Sequence, residues 1–189
     1  MKHLGTCNLK TSRLYLRRFK VSDAQMVYDN WSSDEEVTRY VTWPAHKDII
    51  TTKRILMDWQ LYYQSPNAYQ WAIVDRETDE VIGSISLYEF HRRGMRHQCE
   101  LGYCLSKHYW NKGLMTEAAS RVLEFAFKEI GVDSVIAKHD VRNVASGRVM
   151  QKLGMTHDKL VTRAVLNGKG EWVDCDTYII FKHEFSHFR

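Results

Sequence analysis

Apolar and polar residues alternate along the first predicted segment, and in a later segment the apolar residues recur at helical spacing. The alternation over residues 12–19 predicts a half-buried strand. Residues 22–25, Ser-Asp-Ala-Gln, have the form of a capping box, which predicts the start of a helix that runs to about Trp31. Helical spacing predicts a second helix over residues 48–64.

Glycines and turn residues divide the remainder of the chain into shorter segments. Gly131 and Gly154 stand where a helix ends on a left-handed glycine, and Asn-Gly-Lys-Gly over residues 167–170 predicts a hairpin turn. Residues 91–97 are expected to form a loop. The elements predicted after the second helix are strands over 70–75, 80–88 and 99–105, a helix over 116–130, a strand over 134–138, a helix over 144–153, and strands over 156–166 and 171–182.

The order of these elements, β-α-α-β-β-β-α-β-α-β-β, defines the predicted fold class. A helix between two strands implies a parallel crossover, whereas the hairpins imply antiparallel pairs. The pattern therefore predicts an α/β fold with a twisted mixed sheet that carries helices on both faces. Because no linker or repeat interrupts the chain, residues 1–189 are predicted to form one domain.

Composition narrows the possible classes of protein. With 44% hydrophobic and 26% charged residues, the chain has the composition of a globular protein rather than a disordered one. We find no apolar run of the ~20 residues that span a bilayer and no secretory signal, so we expect a cytoplasmic protein without a membrane partner. A net charge of +4 without a dense basic cluster does not indicate a specific nucleic-acid partner. The four cysteines lack metal-ligand spacing, so no metal site is predicted.

One strand–turn–helix segment, residues 100–126, has the features of an anion site. The N-terminus of a helix presents unpaired amides, and its dipole favours a negative charge there. Gly113 allows a phosphate to approach the backbone closely, and Lys112 adds a positive charge. From these features alone, Gly113 is about as consistent with an ordinary turn as with a phosphate site.

The residue types and their spacing in this segment resemble those of a known family. Residues 102–105 and 109–118, followed by residues 143–146 and 151–155, closely resemble the two acyl-CoA-binding motifs of the GNAT acetyltransferases, in the same order. Residues 11–17 and 81–85 also fit, so the resemblance covers essentially the whole chain. It is closest to the branch that includes the ribosomal-protein-alanine N-acetyltransferases. The resemblance implies the GNAT fold and acetyl-CoA as the cosubstrate.

The resemblance also implies the residues that hold the cofactor. The family loop reads Gln/Arg-x-x-Gly-x-Gly/Ala, and of its three defined positions, here Trp110, Gly113 and Met115, only the glycine matches. Since the family uses backbone amides there, the departures need not abolish binding. The implied pyrophosphate contacts are the amides of Asn111, Lys112, Gly113, Leu114, Met115 and Thr116. The implied contacts of the pantetheine arm are Tyr103, Cys104, Leu105 and Asn143, and Asn143 has an ordinary helix cap as its alternative role.

Two residues are candidates for catalysis. Acetyl transfer to an amine requires a proton acceptor for the amine and a proton for the departing thiolate. Many relatives place a Glu at the position of Glu100 to act through water, and the alternative is a solvated carboxylate at the strand end. Relatives often use a Tyr as the acid, but that position is Met150, so Ser146 is the substitute that the branch suggests. Ser146 could instead cap its own backbone. His139 is a further candidate for proton handling, or a space-filling residue.

Three functions remain open from the sequence. The first is an N-acetyltransferase that acts on a protein N-terminal α-amine, and the second acts on a small molecule such as an aminoglycoside, a polyamine or an amino-acid-like amine. The third is a non-catalytic acyl-CoA-binding module. Acidic residues in the acceptor cleft would favour a cationic small molecule. Homodimers are common among the relatives, and the final strands are candidates for such an interface.

Overall fold

The computed structural model of the chain describes residues 1–185. The strands are β1 (Leu9–Lys10), β2 (Leu14–Arg17), β3 (Tyr69–Asp75), β4 (Val81–Arg93), β5 (Arg96–Leu105), β6 (Ser134–Asp140), β7 (Thr156–Leu166) and β8 (Trp172–Phe181). The helices are α1 (Ala24–Val27), α2 (Ile49–Tyr62), α3 (Leu114–Phe125), α4 (Val144–Lys152) and α5 (Lys182–Phe185). Wider π turns, Tyr28–Ser32 and Ala126–Ile130, extend α1 and α3. Among residues 1–185 no helix has both the length and the apolar character that crossing a membrane requires.

The strands described here form one mixed sheet in the order β1-β2-β3-β4-β5-β6-β8-β7. The pair β5–β6 is parallel, and the other neighbouring pairs are antiparallel. Helix α3 makes the crossover between β5 and β6, as a parallel pair requires. The predicted α/β class with a mixed sheet is confirmed.

The helices cover both faces of the sheet. On one face α3 buries an apolar stripe that includes Ala119 and Val122, and these side chains pack with Leu16 and Leu101 in one core cluster. On the other face Leu56 of α2 joins a second cluster with residues of α1 and the sheet. Because the two clusters bury both faces of β3, its residues 71–74 form a continuous apolar run.

β5 and β6 diverge beyond a short paired region. Gln98 to Glu100 pair with Ser134 to Ile136, although β5 continues to Leu105 and β6 to Asp140. A gap therefore opens between the carboxyl ends of the two strands. Both α3 and α4 begin beside this gap, which is the place where open α/β sheets bind ligands.

The N-terminal helical segment begins earlier than predicted, and the prediction of a capping box at residues 22–25 is wrong. A 3₁₀ turn starts at Val21, and the Asp23 carboxylate accepts a hydrogen bond from the Lys20 amide at 2.8 Å. The same carboxylate pairs with Arg17 at 2.7 Å. An ionised carboxylate is a stronger hydrogen-bond acceptor than the Ser22 hydroxyl. The ion pair with Arg17 holds the Asp23 carboxylate beside the Lys20 amide, so the helical segment is capped there.

The first strand is shorter than predicted. It covers only Leu14–Arg17 of the predicted 12–19.

The predicted loop over residues 91–97 is also wrong, because β4 and β5 continue into a two-stranded arm. His91 pairs with Gln98 and Arg92 with His97, beyond a bulge at Glu89, whose φ is 50°. His91 and Arg92 are exposed. The arm extends past the core, so its strands lack the apolar alternation by which a half-buried strand is recognised.

Candidate active site

The segment that leads into α3 ends at a helix N-terminus, whose first amides have no partner within the helix. Asn111 has φ 60° and Gly113 has φ 74°, so two left-handed residues turn the chain tightly before the helix. The first bond of α3 runs from the Glu117 amide to the Gly113 carbonyl at 3.0 Å. The amides before Glu117 therefore form the open N-terminus of a three-turn helix, where partial positive charge accumulates. A phosphate group fits this arrangement.

The glycine at position 113 is explained by its backbone conformation rather than by a lack of space. A Cβ atom there would have a single neighbour, Arg13 Nη2 at 3.7 Å. An L-residue in the left-handed region is strained by about 1–2 kcal/mol. Lys112 is exposed, and its ammonium lies 5.0 Å from the centre of the Tyr109 ring.

The backbone of β5 alternates between β4 on one side and the gap on the other. The Ser106 amide donates to the Ile82 carbonyl at 2.8 Å, whereas the His97 carbonyl accepts from Asp133 on the β6 side at 2.8 Å. Because successive residues of a strand direct their peptide groups to opposite sides, those of Tyr103 and Leu105 face the gap. The amide and carbonyl of Cys104 are directed to β4. Of the three residues predicted to contact the pantetheine arm from β5 (Tyr103, Cys104 and Leu105), Cys104 is therefore the one whose backbone is bonded within the sheet.

Trp110 has a definite role at the loop position where the family pattern has Gln or Arg. Its indole Nε1–H donates to the Leu105 carbonyl at 2.8 Å. This bond joins the start of the loop to the end of β5 and uses one of the two gap-facing peptide groups of Leu105. The amide of Leu105 and both peptide groups of Tyr103 face the gap.

The hydroxyl of Ser146 is bonded to Tyr103 rather than to its own helix. Ser146 Oγ donates to the Tyr103 hydroxyl at 3.1 Å, and Tyr103 donates to the Ser146 carbonyl at 3.0 Å. Asn143 Oδ1 accepts from the Ser146 amide at 3.3 Å, so Asn143 caps α4. Burial raises the pKa of Tyr103, so this hydroxyl keeps its proton at neutral pH.

Glu100 is not a solvated carboxylate at a strand end. Its side chain is 2% exposed, and its oxygens accept from the Tyr88 hydroxyl at 2.6 Å and from Lys138 Nζ at 3.1 Å. Tyr88 passes over Gly102, where a Cβ atom would lie 2.8 Å from the Tyr88 ring. Burial and the neighbouring Glu100 raise the pKa of Tyr88. No sequence motif points to Tyr88 or Lys138, because these residues lie on β4 and β6 and meet Glu100 only in the folded sheet.

A cavity of about 470 Å³ joins these groups. Tyr88 and Lys138 lie on its wall together with Tyr103, Asn143 and Ser146, whereas Glu100 lies behind Tyr88 and Lys138. A Cβ atom on Gly168 would collide with the carbonyl of Trp43, so the β7–β8 turn closes tightly over the segment before α2. The aromatic side chains of the lining are Trp31, Tyr40, Trp43, Trp59, Tyr88 and Tyr103.

Within the described residues, Asp140 is the one carboxylate in this lining. Arg142 Nε donates to it at 2.9 Å. Burial opposes ionisation of Asp140, but the hydrogen bonds from Arg142 outweigh it and lower the pKa of the carboxyl. His139 lies against α4, with Nδ1 bonded to the Asp140 carbonyl at 2.8 Å and Nε2 against Gly147.

Comparison with known proteins agrees with this architecture. Residues 13–156 match the family model described as an acetyltransferase (GNAT) domain. The chain is 30% identical to the uncharacterized N-acetyltransferase YnaD of Bacillus subtilis, over 95% of this chain and 99% of that protein. It is 23% identical to the ribosomal protein uS5-alanine N-acetyltransferase of Escherichia coli, over 88% and 86% of the two chains.

A solved structure extends the comparison to three dimensions. The GNAT-family acetyltransferase from Bacillus anthracis superposes with a TM-score of 0.79 at 26% identity, covering 94% of this chain and all of that one. The fold and the site together define an N-acetyltransferase. The chain belongs to the GNAT acetyltransferase family, and acetyl-CoA is its acetyl donor. The resemblance noted from the two sequence motifs is thereby confirmed.

Proposed function

We propose that this enzyme acetylates the primary amine of an acceptor whose body is uncharged, with the α-amine of a protein N-terminus as the first candidate. The observation that carries the proposal is the lining of the cavity, which is aromatic and has Asp140, already bonded to Arg142, as its one carboxylate among the described residues. A polyamine or an aminoglycoside would bring several ammonium groups into a cavity that cannot pair them, which is costly. An amino-acid-like amine has no such cost.

The sequence comparison supports the N-terminal candidate. The similarity to the uS5-alanine enzyme covers most of both chains, and that enzyme is named for an alanine of a ribosomal protein. A small amino-acid-like amine remains the second candidate, since it shares the same reacting group and an uncharged body. The cavity volume of about 470 Å³ accommodates either one residue of a peptide or such a small amine.

Acetyl-CoA supplies an activated acetyl thioester when it is bound. We assign the pyrophosphate contacts to the amides at the start of α3, and the contacts of the pantetheine arm to Tyr103, Leu105 and Asn143. Cys104 lines the cavity, and its side chain packs against the cluster that includes Leu56 of α2. The amides at the start of α3 belong to Asn111, Lys112, Gly113, Leu114, Met115 and Thr116.

Glu100 is assigned as the proton acceptor, reached through Tyr88. The Tyr88 hydroxyl lies on the cavity wall and donates to Glu100 at 2.6 Å. It can take a proton from the acceptor amine while it passes its own proton to Glu100, so a water molecule is not needed between them. Lys138 holds the second carboxylate oxygen and keeps the buried charge paired.

Ser146 is assigned as the proton donor, together with Tyr103. Both hydroxyl protons are held at the mouth of the gap, and a hydroxyl can rotate to redirect its proton. A leaving thiolate requires a proton at this end of the reaction. Once Ser146 has given its proton to the thiolate, Tyr103 can turn its hydroxyl from the Ser146 carbonyl to the serine oxygen, and water must then return one proton to this pair while Glu100 releases the proton taken from the amine.

The test is thiol release from acetyl-CoA with a panel of amines, and the acetylated product is identified by mass spectrometry. The panel contains alanine- and serine-terminated peptides, free amino-acid amides, spermidine and kanamycin, with Gly113→Glu as the control for non-enzymatic transfer. We expect turnover on the peptides or the amides. Preferred turnover of spermidine or kanamycin would overturn the acceptor class, and acetyl-CoA binding without any amine turnover would overturn the catalytic assignments.

A further inference from the structure

Arg13 connects the turn between β1 and β2 to the loop before α3. Its Nη1 donates to the Lys112 carbonyl at 3.0 Å, and its Nε donates to Glu117 Oε2 at 2.7 Å. The Arg13 amide and the Ser12 hydroxyl both donate to Glu117 Oε1 at 2.9 Å. One guanidinium therefore holds a carbonyl of the loop and a carboxylate of the helix at the same time.

The bond to the Lys112 carbonyl sets the direction of the next amide. The peptide unit is planar and trans, so its C=O and N–H groups point in opposite directions. With the Lys112 carbonyl turned towards Arg13, the Gly113 amide points away from Arg13 and towards the open side of the loop. Asn111 and Gly113 are both left-handed, and glycine permits many peptide orientations, so the backbone alone does not fix this one.

The second bond affects the charge at the site. Glu117 lies in the first turn of α3, where its negative charge would oppose a phosphate at the helix N-terminus. The ion pair with Arg13 balances that charge. Arg13 Nη2 is also directed at Gly113, 3.7 Å from where a Cβ atom would stand.

We propose that Arg13 is a positioning residue for the pyrophosphate end of acetyl-CoA. It fixes the Lys112–Gly113 peptide, which presents its amide to the anion, and it balances the charge of Glu117. Trp110 leaves the loop without the cation that the family pattern can provide at that position, and Arg13 brings a guanidinium to the loop from another strand. This inference rests on the proposed assignment of the loop as the pyrophosphate site.

The test compares binding of CoA with the use of two acetyl donors. Acetyl-pantetheine lacks the phosphates, so a residue that acts on the pyrophosphate affects acetyl-CoA alone. For Arg13→Gln we expect the dissociation constant of CoA, measured by calorimetry, to rise about tenfold, the size expected for losing one charge-assisted hydrogen bond. We expect KM for acetyl-CoA to rise in parallel with kcat preserved, and kcat/KM for acetyl-pantetheine to stay unchanged. Arg13→Lys should recover part of the affinity for CoA, since lysine keeps the positive charge but lacks the second donor nitrogen of the guanidinium.

Arg76→Gln is the matched control. Arg76 Nη1 holds the Thr11 carbonyl of the same turn at 2.9 Å and also bonds the Ser12 carbonyl. It supports the turn without any bond to Lys112 or Glu117 among the described residues, so the preference for acetyl-CoA should survive in this variant. Thermal unfolding of each variant separates loss of the turn from loss of binding.

Two outcomes overturn the inference, and a third overturns the assignment beneath it. If Arg13→Gln keeps the wild-type affinity for CoA, or loses both donors equally, Arg13 does not position the pyrophosphate. If the wild type itself uses acetyl-CoA and acetyl-pantetheine equally well, the loop is not a pyrophosphate site and the proposed assignment fails first.

Discussion

The hydroxyl groups of Tyr103 and Ser146 are joined by a hydrogen bond of 3.1 Å that connects β5 with α4. The bond spans the two elements that border the gap in the sheet, so a tyrosine hydroxyl from β5 lies beside the first turn of α4. Met150 of the same helix is buried in the apolar core.

Loss of the Ser146 hydroxyl should slow the reaction and leave cofactor binding intact. Ser146→Ala keeps the backbone bonds to Asn143 and Tyr103, so the cap of α4 is preserved. We expect kcat to fall about 10- to 100-fold, a modest loss for general acid catalysis, with the dissociation constant of CoA unchanged. Ser120→Ala, on the exposed side of α3, is the matched control. Wild-type turnover in Ser146→Ala would remove this residue from the mechanism.

A glutamate at position 113 should abolish binding of CoA. Gly113→Glu forces an L-residue into the left-handed region, at a cost of about 1–2 kcal/mol, and adds a negative charge where the phosphates are proposed to lie. Calorimetry should detect no binding, and Gly113→Ala should bind weakly. Gly94→Ala has comparable strain (φ 62°) in the distant arm and should bind CoA as the wild type does. Full binding by Gly113→Glu would disprove the loop assignment.

Tyr88 and Glu100 should act as one unit if the proton passes between them. Glu100→Gln and Tyr88→Phe are each expected to lower kcat/KM about 100-fold. The double variant should be no slower than the slower single variant, because residues that form one relay are not additive. Losses that multiply in the double variant would show that the two residues act independently, and a relay would then be excluded.

The ion pairing of Glu117 should make its contribution to stability depend on pH. Burial would raise the pKa of Glu117, but hydrogen bonds from Thr11, Arg13 and Ser12 outweigh it and hold the pKa at about 2, against an ordinary value of 4.5. A depressed folded-state pKa stabilises the protein above the unfolded-state pKa, and this stabilisation is lost as pH falls through the folded-state value.

The corresponding measurement is urea unfolding of the wild type and Glu117→Gln over a range of pH. The difference in unfolding free energy should be full above pH 4.5 and should shrink as the pH falls towards about 2. Glu77→Gln, in the exposed β3–β4 turn, serves as the control. A difference for Glu117→Gln that is constant over this pH range would contradict the origin proposed for the shift.

A larger side chain at Gly168 should weaken binding of the acceptor amine and leave binding of CoA unchanged. A Cβ atom in Gly168→Ala collides with the backbone of Trp43 and Pro44, so the segment over the cavity must move. We expect KM for the acceptor amine to rise and the dissociation constant of CoA to stay the same. Lys169→Ala in the same turn is exposed and should leave both unchanged. If Gly168→Ala changes neither constant, the turn does not border the acceptor site.

Local patterns predicted most of the elements, although α3 begins at Leu114, two residues before the predicted start. Hydrophobic spacing located α2 and the central strands, and the two motifs pointed to the segments around Gly113 and Ser146. Contacts between side chains that are far apart in the sequence could not be predicted. Arg13 and Glu117 are 104 positions apart, and Tyr88 reaches Glu100 only because a hairpin sets its register. The strands over residues 91–97 were missed for a related reason, since a ribbon whose residues are mostly exposed has no buried side to impose alternation.

The most direct test of the account is the ratio of kcat/KM for an alanine-terminated peptide to that for spermidine, measured by thiol release from acetyl-CoA with the wild-type enzyme. The cavity offers one carboxylate among its described lining residues, and Arg142 already holds it. We expect kcat/KM to be at least about tenfold higher for the peptide, the effect of one unpaired charge of roughly 1.4 kcal/mol. A preference for spermidine would contradict it.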